Sequence, residues 1–219
     1  MKEDSILPKS GSTPTAAREP APYASAMGVV VMVNSSPTWA VDFDDLHAQL
    51  EAVLGAVALR IDHIGSSSVP GLAAKDVIDV QVTVADEEGL REACRKLGTA
   101  GFPASAESYD HPVPGESETR DAWTKGFATE RAGDRRANIH VRVLGRPNQK
   151  YALLFRDYLR SHPDTASAYS AFKARAAELL PEDSATYANL KDPVCDLIYI
   201  PAKVWAESTG WSVTAAKCE

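Results

Sequence analysis

Gly65-Ser66 is followed, after twelve residues, by Ile78-Asp79-Val80-Gln81-Val82. A Gly-Ser loop after a strand can aim backbone N–H groups and a hydroxyl at phosphate oxygens. A carboxylate on the next strand can hold Mg²⁺ against the same oxygens. Asp79 is therefore the expected metal ligand and first catalytic residue, and Gly65, Ser66 and Ser67 the expected anion loop. The plain alternative is a serine-rich turn beside one edge-facing aspartate. Short patterns of this kind also occur by chance.

Other residues could complete such a site. Asn138 to Leu144 alternates, so Ile139, Val141 and Val143 face one way and His140 and Arg142 the other. His140 suits acid/base or ligand-orienting work, and Arg142 suits phosphate or carboxylate recognition. Lys75 lies between loop and strand, where an ammonium can meet a phosphate; the alternative is a solvated lysine. Tyr169/Lys173 and Tyr187/Lys191 are both YxxxK pairs, each on one helix face. Tyrosine packing on a lysine stem is ordinary helix surface, but the pattern occurs twice. Lys173 is taken as a third catalytic candidate. Tyr169, Tyr187 and Lys191 join Gly65, Ser66, Ser67, Lys75, Gln81 and Arg142 as substrate-binding candidates. His63, at the end of an apolar strand, reads equally well as a structural histidine.

The elements that must position these groups follow from periodicity and turn residues. A strand is expected over Val29–Val33, then a helix capped by Asp42 and ended by Gly55. Strands are expected at 58–64 and 77–84, with Asp79, Gln81 and Thr83 on one face. Asp86 caps a helix from Glu87 to Leu97. Residues 102–137 are hard to read, with a polar loop at 110–118 and a strand near 123–129. Helices are expected at 148–161, 164–180 and 184–207, capped by Asp164 and by Asp183 or Ser184.

Size and composition bound the function. The chain has 219 residues, 44% of them hydrophobic, enough for one buried core. The expected organisation is a disordered tail at 1–26 and one domain at 27–210. Within it, 27–146 form the sheet region and 147–210 the helical region; 211–219 form a flexible end. The tail holds four prolines and few apolar residues. No run of about 18 apolar residues exists, so no membrane span is expected. The formal charge is -7 and no Lys/Arg block stands out, which argues against DNA as a partner. Cys94, Cys195 and Cys218 form no CxxC or Cys/His cluster, so zinc is not expected. Reduced thiols without an export signal imply a cytoplasmic protein. The oligomeric state is not legible.

The Gly-Ser/Asp79 layout resembles the nucleotidyltransferase signature, hG(G/S) followed by hDh(D/E)h. The wider stretch from His63 to Asp79, HIGSSSVPGLAAKDVID, resembles the hallmark of the GrpB (UPF0157) family, HIGSTSVPGLxxKPxID. Asn138-Ile139-His140-Val141 resembles the family's HLHV strand, and residues 155–163, FRDYLRSHP, its FRDYLRxHP helix. The two YxxxK elements match as well, so the resemblance runs from about residue 28 to 207. It implies an α+β fold, with a nucleotidyltransferase-like mixed sheet, packed helices and a helical C-terminal region. Related domains occur fused to dephospho-CoA kinases. Two departures stand out: Lys75-Asp76 replaces Lys-Pro, and position 81 is Gln. A two-metal site needs two or three carboxylates, and a neutral Gln is a poor Mg²⁺ ligand.

Three readings follow. The chain is a transferase moving a nucleotidyl or other activated group, with at most one Mg²⁺; or an amide-bond-forming enzyme that reuses the cleft; or a catalytically inactive module binding a nucleotide or CoA-type ligand. The polar set disfavours a purely structural protein, since unpaired buried polar groups cost about 1–3 kcal/mol each.

Overall fold

The computed structural model describes residues 29–117 and 119–213, so the expected tail at 1–26 and residues 214–219, with Cys218, lie outside them. The described chain runs α1 (Thr38–Leu54), β1 (Arg60–Ile64), β2 (Ile78–Val84), α2 (Glu87–Thr99), β3 (Ala104–Tyr109), β4 (Thr124–Thr129), β5 (Ala137–Val143), α3 (Pro147–Ser161), α4 (Pro163–Leu179) and α5 (Ser184–Thr209). Five strands form one mixed sheet in the order β1-β2-β5-β4-β3. Only the central β2–β5 pair is parallel. This is the α+β architecture expected, with the helical region after residue 146.

The alternation in β2 and β5 creates two unlike faces. Ile78, Val80, Val82 and Val84 join Ile139, Val141 and Val143 in the larger core, under Trp39, Phe43, Leu46, Leu50 and Leu54 of α1. Those α1 residues recur every three or four positions, which is one helical face. Leu90, Ala93, Cys94 and Leu97 of α2 close the same core. The other face carries Asp79, Gln81, His140 and Arg142. It lies under a second cluster in which Leu154, Tyr158 and Leu159 of α3 meet Tyr169, Cys195, Ile198 and Tyr199.

Several boundaries differ from the sequence reading, each for a tertiary reason. Val29–Val33 forms no strand; its one pairing is an isolated bridge from Val33 to Ala74. Val30 instead donates its N–H to Pro181 O at 2.7 Å and packs on Ala176, Ala177 and Tyr187. Asp42 is not a cap. α1 begins four residues earlier, where the Ser36 hydroxyl accepts from Thr38 N, and Asp42 accepts from Arg135 Nε at 2.9 Å. Asp164 lies inside the first turn of α4, which starts at Pro163. Asp183 does cap α5, accepting from Thr186 N at 2.8 Å. β3 had no clear signal because it is a polar edge strand with a register irregularity between Ser105 and Ser108. Two of the three arginines of 131–136 meet carboxylates: Arg131 pairs with Asp134, and Arg135 with Asp42 and Asp76.

Candidate functional site

β1 ends at Ile64 and the chain turns sharply at Gly65, whose φ is 68°. That value lies in the left-handed region that side chains other than glycine rarely adopt. The turn lays Gly65 against Asp79. Of the three serines that follow, only Ser66 lines the cleft. Ser67 Oγ lies 3.1 Å from His63 Nε2, and Ser68 Oγ donates to Gly65 O at 2.6 Å. The Ser67 hydroxyl, expected in the anion loop, thus points to His63 and away from the cleft. The His63 side chain is a buried structural group, stacked on Phe43 at 4.7 Å with its pKa lowered to about 4 by burial, Arg160 and Arg156.

Asp79 and Asn138 are partners in the parallel β2–β5 register, and Asn138 Nδ2 donates to Asp79 Oδ1 at 2.8 Å. Burial raises the Asp79 carboxyl above its ordinary value; the Asn138 bond and the charges of Lys191, Arg142 and Lys75 oppose that rise.

Two residues further along each strand, Gln81 pairs with His140. Gln81, expected among the substrate-binding residues, is fully buried and does not line the cleft. It accepts from Arg142 Nη1 at 2.8 Å and donates to Gln149 O at 3.1 Å, tying β5 to the start of α3. Arg142 is likewise committed. Its Nε and Nη2 donate to Asp110 at 3.0 and 3.1 Å. Lys125 Nζ donates to Asp110 Oδ1 at 2.5 Å and lies 3.2 Å from His140 Nδ1. Asn148 Nδ2 donates to Asp110 Oδ2 at 3.2 Å. Although burial pushes the other way, Arg142 and Lys125 hold the Asp110 carboxyl well below the usual carboxylate range. Burial, with Lys125 and Arg142, holds His140 well below its ordinary value, so its ring is neutral. An ammonium donating to Nδ1 leaves the Nε2–H tautomer.

On the opposite wall, Lys173 is 2% exposed and donates to Ser66 Oγ at 2.8 Å and to Ala73 O at 2.5 Å. Its Nζ stands 4.7 Å from the centroid of Tyr169. Burial and the neighbouring Lys191 charge lower its pKa to about 7. Burial also lowers Lys75, with Lys191 adding to it, while its Nζ lies 4.6 Å from the Tyr187 centroid. Burial opposes charge on Lys191, but Cys195, Tyr187, Asp79 and Asp192 together raise it. Tyr169 sits in the second core with its hydroxyl 3.3 Å from Cys195 Sγ, and the Tyr187 hydroxyl reaches Met32 Sδ at 3.7 Å.

These walls enclose two adjoining cavities. The larger, about 320 Å³, has Asp110, His140, Arg142 and Asn148 at one end and Trp123, Tyr151, Phe155 and Tyr169 around it. The smaller, about 150 Å³, is lined by Lys75, Lys173 and Lys191 with Tyr187 and Met32. Ser66, Asp79, Asn138 and Lys191 belong to both. In the larger cavity the Tyr151 hydroxyl and Asn148 Oδ1 are buried with no hydrogen-bond partner among the described residues. Native proteins rarely leave such atoms unpaired unless a ligand or water meets them.

A two-metal centre does not fit this donor set. Of the carboxylates that line the larger cavity, Asp110 is held by two cations, Asp192 lies 3.6 Å from His111 Nδ1 and Asp79 accepts from Asn138, and no cluster of three His, Cys, Asp or Glu residues exists among the described residues. Sequence reading missed Asp110, Lys125, Asn138 and Asn148. Asn138 was within reach, because it shares the polar face of β5 with His140 and Arg142. Asp110 sits at the end of an irregular edge strand, and nothing local marks it.

The fold defines an α+β domain whose cleft lies between the polar face of a mixed sheet and a helical cap. The family described as GrpB protein matches residues 29–200, and this chain belongs to it. A protein named dephospho-CoA kinase from Mycolicibacterium paratuberculosis is 34% identical over 206 residues, covering 85% of this chain and 49% of that protein. A UPF0157 protein of Halalkalibacterium halodurans is 30% identical over 152 residues, covering 68% of this chain and 70% of its own. The chain spans about half the length of the first curated relatives it matches. The crystal structure of the conserved protein GrpB from Enterococcus faecalis superposes with a TM-score of 0.65 and 26% identity, over 80% of this chain and 99% of that one. A structure of Cid1 in complex with its short product ApU aligns at a TM-score of 0.42 and 13% identity over 64% of this chain and 41% of its own. That likeness is too slight to carry function. No described helix is long and apolar enough to cross a membrane.

Proposed function

We propose that this protein is a small-molecule transferase or ligase-type enzyme acting on a nucleotide, phosphate-containing or otherwise activated substrate. The observation that carries this reading is the pair of unlike cavities meeting at Ser66 and Asp79. Lys75 and Lys191 of the smaller cavity suit an anionic group. The aromatic walls of the larger one suit a planar or apolar portion, with Tyr151 and Asn148 supplying unpaired polar atoms. The reacting bond then falls at the shared wall. There Asp79, Lys173 and Ser66 are the groups able to move a proton or bear on the substrate. Neutral His140 orients the far end through its Nε2–H.

One Mg²⁺ fits this arrangement, held by Asp79 and completed by substrate oxygens, since Mg²⁺ commonly uses one or two carboxylates beside phosphates. When bound it would neutralise phosphate charge. The buried free thiols of Cys94 and Cys195 support a reducing, cytosolic setting.

The second reading is a nucleotide- or CoA-type binding module without turnover. The observation favouring it is that Gln81, Arg142 and Asp110 are all consumed in one structural network.

The test is calorimetry and thermal shift with nucleoside triphosphates, CoA and acyl-CoA, each with and without Mg²⁺, on the parent and on Lys191→Ala. The expected result is micromolar binding by at least one phosphate-bearing ligand, weakened at least about tenfold in the variant and by added salt. Binding by none of them, or binding indifferent to Lys191, overturns the reading. Ligand consumption during the titration separates enzyme from module.

A further inference from the structure

Ser66 and Lys173 come from segments 107 residues apart, yet their side chains meet at 2.8 Å. Ser66 is the one hydroxyl of the Ser66–Ser68 turn that lines either of the two functional cavities. It is half-buried and lines both, so its oxygen can reach a ligand in either. Lys173 is positioned like a base and unlike a surface cation. No carboxylate among the described residues lies within 4.0 Å of its Nζ. Its fixed partners are Ala73 O at 2.5 Å and the face of Tyr169. Both accept hydrogens: as an ammonium Lys173 also donates to Ser66 Oγ, and once neutral it keeps its lone pair for the Ser66 hydroxyl, so that bond reverses. A hydroxyl becomes a competent nucleophile when an adjacent base takes its proton, and lysine serves when it is desolvated or lies near another cation. Lys173 has both conditions, with Lys191 beside it.

We propose that Ser66 and Lys173 form a nucleophile–base pair, and that Ser66 carries an acyl group between an activated acyl donor and an acceptor. This rests on the cavity assignment above and names the substrate class within it: a thioester, acyl phosphate or activated ester. In the first step Ser66 Oγ attacks the carbonyl carbon. The Oγ–C bond forms, the bond to the leaving group breaks, and the Ser66 proton passes to Lys173 and on to the leaving group. In the second step an amine, alcohol or water attacks the acyl-serine. The Oγ–C bond breaks, Lys173 takes the acceptor's proton, and it returns that proton to Ser66. Nothing is oxidised or reduced.

The groups facing Lys173 set the pH at which it works. Lys191 lowers its pKa, burial lowers it further, and Asp79 and Cys195 oppose them. Lys75 and Tyr187 line the same small cavity, and Tyr169 shares its own helix. The resulting value of about 7 leaves the amine substantially neutral at physiological pH.

The experiment uses the full chain and a fluorophosphonate ester as probe, so it needs no natural substrate. Oγ–P bond formation expels fluoride, the serine proton leaves with it as HF, and the protein gains the mass of one probe less HF. The expected result is a single adduct mapping to Ser66, forming at a rate that rises through about pH 7 and levels above it. Lys173→Met should slow labelling at least about 100-fold, the usual contribution of a general base. Ser66→Ala should give no adduct, and Ser67→Ala should label as the parent does. A rate that does not change between pH 6 and 9 in the parent, an adduct elsewhere, no adduct, or unimpaired labelling of folded Lys173→Met overturns the pair. Phosphate-ligand binding that persists without labelling would leave the cavity reading standing and remove only the covalent step.

Discussion

A Cβ placed on Gly65 would fall 2.3 Å from Asp79 Oδ2 and 2.8 Å from Asp79 Cβ. The loop that opens the cleft and the carboxylate on its floor therefore share one space only because residue 65 has no side chain. Gly65→Ala should lose on two counts, a positive φ with extended ψ (68°, -169°) that costs a side-chain-bearing residue about 1–3 kcal/mol and displacement of Asp79 from its Asn138 bond. We expect a folded protein whose Tm falls by several degrees and whose ligand affinity drops more than tenfold. Calorimetry and thermal melts check both. Parent-like affinity would show that Asp79 and the loop do not bind together.

Asp110 is the anion on which Lys125 and Arg142 converge. Asp110→Ala leaves two buried cations without a counter-charge and should cost about 3–5 kcal/mol, read by urea denaturation. The pH dependence has a definite sign. The folded carboxyl is held below its unfolded value, so its contribution is complete above the ordinary carboxylate range and drains as pH falls below it. The gap in stability between parent and Asp110→Ala should therefore narrow under acid.

Lys173 works in the opposite direction. Its folded pKa of about 7 lies below the unfolded lysine value of 10.5. Between those values the unfolded chain binds the extra proton, so stability from this residue rises with pH. The parent should gain on Lys173→Met as pH moves from 7 to 10, and the variant should fare comparatively best below 7. Melts of both proteins across that range check it; a constant difference would mean Lys173 stays charged in the fold.

Gln81→Asp should not create a metal site. The side chain is fully buried, engages Arg142 and Gln149, and does not line the cleft. Shortening it abandons the Gln149 carbonyl and competes with Asp110 for Arg142. A loss of about 1–3 kcal/mol is expected for the unpaired groups, with no gain in Mg²⁺ affinity by calorimetry. Tighter Mg²⁺ binding in the variant would restore position 81 to the cleft.

The sequence by itself determined the two faces of the sheet. Alternation in 78–84 and 138–144 depends on nothing but the two-residue period of a strand, so Asp79, His140 and Arg142 were legible as one polar face. The caps at Asp86 and Asp183 were legible because the N–H that each carboxylate accepts from lies three residues on. Tertiary structure alone decided which of those polar groups face a ligand. Gln81 and Arg142 share the phase of their neighbours yet are consumed by Asp110 and Gln149, partners far off in the chain. Ser66 and Ser67 are adjacent, but a glycine at φ 68° sends one hydroxyl to Lys173 and the other to His63. Val29–Val33 had the composition of a strand, yet its one pairing is the bridge from Val33 to Ala74. In each case periodicity specifies direction, while the choice of partner depends on which distant surface packing brings within hydrogen-bond reach.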